Sequence, residues 1–84
     1  MKNETYMDAE ILARLNAIFK DVFDDDTIAV QARTTAADID GWDSLTHIRL
    51  VLTAERTFNV KFSAKEISSL KNVGDFVALI GSKA

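Results

Sequence analysis

Apolar residues recur here every three or four positions, and no proline interrupts them anywhere in 84 residues. That period is the signature of amphipathic helices, and β-branched residues never alternate cleanly enough to suggest strands. The first stripe is Ile11, Leu12, Leu15, Ile18, Phe19 and Val22. Its helix is expected to start near Thr5 or Asp8 and to stop near Phe23, because three acids in a row, Asp24 to Asp26, oppose the negative end of a helix dipole.

A long loop then runs to Trp42, with Ile28, Val30 and Ile39 as its expected anchors in the core, since a loop this long must be tied down or functional. A second helix is read from Ser44 to about Phe58. Leu45, Ile48, Val51, Leu52 and Phe58 are assigned to one broad face, with Arg49, Glu55 and Arg56 turned away. Ser63 and Glu66 form a capping box, with a Phe62 to Ile67 staple, for a short third helix ending near Leu70. Asn72 caps a fourth helix that places Asp75 in its first turn and Val73, Phe76, Val77 and Ile80 inward. Gly81 is its expected stop. The sum is an all-α fold, a four-helix bundle with three longer helices and a short third one, forming a single domain over residues 1–84.

Charge and composition remove several functions. A net charge of −3 does not favour nucleic acid or anionic lipid. No apolar run approaches the ~20 residues needed to cross a bilayer, and Met1-Lys2-Asn3-Glu4 lacks the apolar stretch of a signal peptide, so the expectation is a cytoplasmic monomer without membrane insertion. With no cysteine, disulfides, thiolate metal sites and any thiol chemistry encoded by the chain are excluded. Asp24 to Asp26 do not open a calcium loop: Ala29 falls at the glycine position and Thr35 at the glutamate position, so no metal site is expected. His47 lies one turn from Ser44, but a G-x-S-x-G elbow is absent and no loop offers an oxyanion hole, so no enzyme is expected.

The remaining feature is Asp43-Ser44-Leu45, which follows a Gly41-Trp42 turn and opens the second helix. A helix N-terminus presents unpaired N–H groups and partial positive charge, so a phosphodiester on Ser44 would sit in a favourable field. The same triplet would also serve as a plain cap, and an unmodified helical interaction domain is the alternative reading. Trp42 either packs toward His47 to hold the entry angle or contacts a group carried on Ser44 or a partner.

In its layout the chain resembles an acyl carrier protein. The resemblance rests on the apolar first helix, the long loop, D-S-L at the start of helix two, and the run Leu45, Ile48, Leu50, Val51 and Phe58. It extends to the short helix after Phe62 and to Asn72-Val73-Gly74-Asp75-Phe76. It implies a carrier holding acyl or related intermediates as thioesters on a 4'-phosphopantetheine arm attached to Ser44, with Asp43 and Leu45 read by the phosphopantetheinyl transferase. It also implies an acyl cleft bordered by Ile48, Val51, Leu52, Ile67 and Leu70, and partners that load and transfer acyl groups. His47, Arg49 and Arg56 stand where fatty-acid-synthesis carriers have an acidic second helix, which marks them as partner-surface residues. Together with Gly41-Trp42 they suggest a specialised lipid, polyketide or related pathway, with an aminoacyl or peptidyl carrier as the variant of the same class.

Overall fold

The computed structural model describes residues 7–83, in which four helices follow one another: α1 (Asp8–Phe23), α2 (Ser44–Phe58), α3 (Ala64–Ser68) and α4 (Val73–Lys83), with a 3-10 turn at Ala36–Asp38. Of the two expected starts for α1, Thr5 lies outside the described residues; within them the helix begins at Asp8, with Asp8 and Glu10 placing acids in its first turn. It ends at Phe23 because Asp24 turns left-handed, at φ 53°, and the Asp25 amide donates back to the Lys20 carbonyl at 3.0 Å. Asn59 ends α2 the same way, with φ 56° and the Val60 amide on the Glu55 carbonyl at 3.0 Å.

The core forms where α1 packs on α2 and on α4. α1 contributes Ile11, Leu15, Ile18 and Phe19; α4 contributes Val73, Phe76, Val77 and Ile80, as the periodicity indicates. α2 needs a correction. Its buried residues are Leu50, Val51, Ala54 and Phe58, whereas Leu45, Ile48 and Leu52 are 72%, 45% and 54% exposed. The helix carries two apolar stripes, and the one that turns inward includes the fully buried Ala54. Glu55 is not turned away either: it is half-buried, and its carboxylate accepts the Phe62 amide at 2.8 Å, fixing the chain as it leaves α2.

The long loop is tied down at Val30, which is buried, and more loosely at Ile28 and Ile39. Asn16 on α1 makes the tie by accepting the Val30 amide at 2.7 Å and donating to the Val30 carbonyl at 3.2 Å. Farther along, Thr34 and Ala32 offer their carbonyls to the amides of Val73 and Gly74, at 2.9 and 2.7 Å. The loop thereby satisfies two of the donors that open α4. The approach is close enough that a Cβ at position 74 would lie 2.9 Å from the Ala32 oxygen, so only glycine fits without a shift.

The capping box at α3 is present, Ser63 accepting from the Glu66 amide at 3.1 Å and Glu66 from the Ser63 amide at 2.8 Å. This helix stops at Ser68, two residues short of the expected Leu70. Asn72 caps α4 through the Asp75 amide at 2.8 Å. Gly81 does not stop it: the helix runs on to Lys83, with Gly81 in ordinary helical conformation near Ile11.

Candidate functional site

The entrance to α2 is built by a short set of interlocking bonds. Gly41 sits at φ 87°, a conformation other residues rarely adopt, and lets the chain reverse so that the Asp43 amide donates to its carbonyl at 3.0 Å. Asp43 then caps the helix, its carboxylate accepting the Thr46 amide at 2.9 Å. The Thr46 hydroxyl lies 2.8 Å from the Gly41 carbonyl and 3.0 Å from the Asp43 carboxylate, fastening the turn to the first turn of helix. These bonds from Thr46 hold the Asp43 carboxyl below the usual carboxylate range, so it is ionised at neutral pH. Thr46 is a site residue that the motif does not include; its sequence signal is a hydroxyl three residues after an aspartate cap, in reach of both cap and turn.

Ser44 is the first residue of α2, exposed, and its hydroxyl takes part in no hydrogen bond among the described residues. The cap therefore belongs to Asp43, and the serine is left over. A tethered phosphodiester fits here: the oxygen is unencumbered, it stands at the positive end of a 15-residue helix, and it opens onto a surface pocket.

That pocket encloses about 520 Å³ beside Ser44, walled on the apolar side by Ile48, Ile67 and Leu70 and on the polar side by Asp43, Ser68 and Lys71. Three of the five expected cleft residues thus line it. Val51 does not, because it is buried in the core, and Leu52 does not, because it points outward from the middle of α2. Ser68 and Lys71 gave no sequence signal, since their place depends on where α3 ends.

His47 also departs from the partner-surface expectation. It is half-buried between helices: its Nδ1 accepts the Trp42 indole N–H at 3.2 Å, and its Nε2 lies 3.3 Å from the Ile67 carbonyl at the end of α3. The two partners together require the neutral ring with its proton on Nε2, because the indole can only donate and the carbonyl can only accept. Trp42 is held on its other side by Phe19, edge to face with ring centres 5.2 Å apart. The tryptophan thus connects α1, the entrance turn and, through His47, α3. Arg49 and Arg56 are exposed on α2, as is Leu45. Asp24 to Asp26 end α1, with Asp25 bonded to the Thr27 amide and hydroxyl, and the described residues contain no cluster able to hold a metal ion.

A family model described as "Phosphopantetheine attachment site" matches residues 13–80, from within α1 to within α4. The chain belongs to that family, as a carrier domain of the acyl carrier type. Among curated relatives, an acyl carrier protein of Acidothermus cellulolyticus is 36% identical over 73 residues, covering 87% of each chain. Among solved structures, the solution structure of a holo acyl carrier protein from Geobacter metallireducens superposes with a TM-score of 0.82 at 45% identity, covering 87% of this chain and 84% of that one. The all-helical fold is the one this neighbour has, and the group that such carriers bear is 4'-phosphopantetheine. As a member of this type the chain is a carrier and not an enzyme. It works with a phosphopantetheinyl transferase and with acyl-handling enzymes. No helix among the described residues is long and apolar enough to cross a membrane.

Proposed function

We propose that the Ser44 oxygen bears the arm and that the chain carries acyl or related groups for one specialised pathway. The observation that carries this reading is the exposed, unbonded Ser44 hydroxyl, held at the first residue of α2 by a turn that engages its neighbours Asp43 and Thr46 and leaves the serine alone. In loading, the Ser44 oxygen forms a new bond to the β-phosphorus of coenzyme A and displaces adenosine 3',5'-bisphosphate. The proton leaves with a base of the transferase. The arm supplies what the sequence lacks, a thiol that can hold a thioester.

Asp43 and Leu45 flank the reacting oxygen and are the positions the transferase would read. Ile48, Ile67 and Leu70 form the apolar wall against which a short acyl chain would lie. The basic residues of α2, Arg49 and Arg56, favour a lipid, polyketide or related pathway with its own enzymes over general fatty-acid supply. The working form is a cytoplasmic monomer, the whole chain acting as one carrier domain.

Incubation with coenzyme A, magnesium and a broad-specificity transferase should raise the intact mass by one phosphopantetheine, and Ser44→Ala should abolish the gain. A gain that survives the substitution would move the site; no gain in the unsubstituted chain would remove the reading.

A further inference from the structure

The pocket beside Ser44 stops short of the core. None of the residues that line it is among the buried ones, and Val51, expected on its border, is sealed behind it. His47 stands at the junction. Leu50, Val51, Ala54 and Phe58 follow it along α2 by three, four, seven and eleven positions, so its ring is the first member of the inward stripe and the one that faces the pocket.

The ring is fixed from several sides. The Trp42 indole N–H donates to Nδ1 at 3.2 Å, and the Trp42 ring lies nearly parallel to the imidazole, at 23° with centres 6.1 Å apart. Trp42 in turn rests edge-on against Phe19, which is fully buried. On the far side Nε2–H donates to the Ile67 carbonyl at 3.3 Å, a bond that crosses from α2 to α3. Such ties matter at α3, because that helix buries no residue of its own. Its other links to the rest of the fold include the Glu66 carboxylate against the Lys83 ammonium at 3.2 Å and, on the approach to it, the Phe62 amide on Glu55.

A group passing from Ser44 toward Val51 and Ala54 would have to part α2 from α3 and turn the imidazole aside. The first breaks the bond to Ile67, and the second leaves the indole N–H without its acceptor. A short acyl group meets neither obstacle, since Ile48, Ile67 and Leu70 offer it an apolar wall on the outer side of the ring.

We propose that His47 is the specificity-determining residue of the pocket: its bridge from Trp42 to Ile67 holds the cleft shut behind the first few carbons of the cargo. The carrier then shelters short acyl groups and leaves long alkyl chains in solvent. This inference rests on the Ser44 reading above.

The test loads the chain from butyryl-coenzyme A and from dodecanoyl-coenzyme A with the same transferase, and confirms each product by intact mass. Two readouts follow: the methyl resonances of Val51 and Ala54, which lie behind the ring, and the rate at which hydroxylamine cleaves the thioester to a hydroxamate and the free thiol. In the unsubstituted chain the dodecanoyl group should leave both sets of methyl resonances where the butyryl group leaves them, and its thioester should be cleaved no more slowly. In His47→Ala the dodecanoyl group should shift those methyls, and its thioester should be cleaved roughly 10-fold more slowly than the butyryl one, as a group withdrawn from solvent reacts only on local opening. His47→Gln should behave as the unsubstituted chain, because its amide can accept from the indole and donate to the carbonyl. Comparing two cargoes within each variant cancels any general loss of stability, and circular dichroism checks folding; if His47→Ala is unfolded, His47→Val takes its place. Shifted methyls and slowed cleavage for the dodecanoyl form of the unsubstituted chain overturn the proposal, whichever variants fold. So does a folded small variant that still keeps the long chain out, or a His47→Gln that admits it. Failure of the unsubstituted chain to gain either acyl-phosphopantetheine mass overturns the Ser44 reading and this inference with it, whereas loading followed by shelter of the long chain overturns this inference alone.

Discussion

The two apolar faces of α2 are made of the same kinds of residue and do opposite things. Leu50, Val51, Ala54 and Phe58 are buried in the core, while Leu45, Ile48 and Leu52 are open to solvent along the same fifteen-residue helix. Burial is decided by what lies across from a residue, and only the inner face has α1 opposite it. The outer face gains nothing in stability by being apolar, which is why its composition points to contact with something outside the chain.

The largest test of that contrast is a matched pair of truncations. Leu50→Ala should cost about 2–5 kcal/mol in urea unfolding, since its side chain is fully buried and the site cannot collapse freely. At the boundary between the faces, His47→Ala should cost roughly 1–3 kcal/mol, because it leaves the Trp42 indole N–H and the Ile67 carbonyl short of a partner. Nitrogen chemical shifts of the intact ring should show the Nε2-protonated form; the other tautomer would contradict the bridge. Thr46→Val removes only the hydroxyl that joins the entrance turn to the helix, and should cost about 0.5–1.5 kcal/mol by the same measurement.

Leu52→Ala completes the pair and should fall within about 0.5 kcal/mol of the parent. A cost near that of Leu50→Ala would mean that the outer face is packed in solution. The mildest effect is that of pH. Asp43, Asp25 and Glu66 all have carboxyls held below their ordinary range, by bonds from Thr46, Thr27 and Ser63 respectively. A lowered native pKa gives stability that is present above the unfolded value near 4 and lost as pH falls through the native one. Urea midpoints should therefore decline below about pH 4, and less steeply in Asp43→Asn than in the parent.

Much of this architecture is legible in the sequence because it is set locally. The start of α2, the capping box at Ser63 and Glu66, and the Asn72 cap each depend on residues within one turn of one another. The faces of α1 and α4 are equally clear, because each has a single apolar stripe. α2 defeats the same reasoning: with two stripes, periodicity cannot say which one meets a neighbour, so it keeps Val51 and Phe58 on the buried face but also puts Leu45, Ile48 and Leu52 there and turns Glu55 outward. His47 was misread for a related cause, since its partners lie five residues before it and twenty after. At Gly81 the rule that glycine ends helices gave way because nothing requires a left-handed turn there. As for the candidate site, Ser44 stands out because its neighbours are committed elsewhere, whereas the polar wall of the pocket depends on where the short third helix stops.

Trp42 is the chain's single tryptophan, and it stands in the wall of the pocket beside Ser44, with Phe19 at one edge and His47 at the other. Its emission therefore reports one place only. Attachment of an arm, arrival of a cargo or release of the imidazole would each change the polarity or quenching around that indole, so the protein contains an unlabelled optical probe of its own working state.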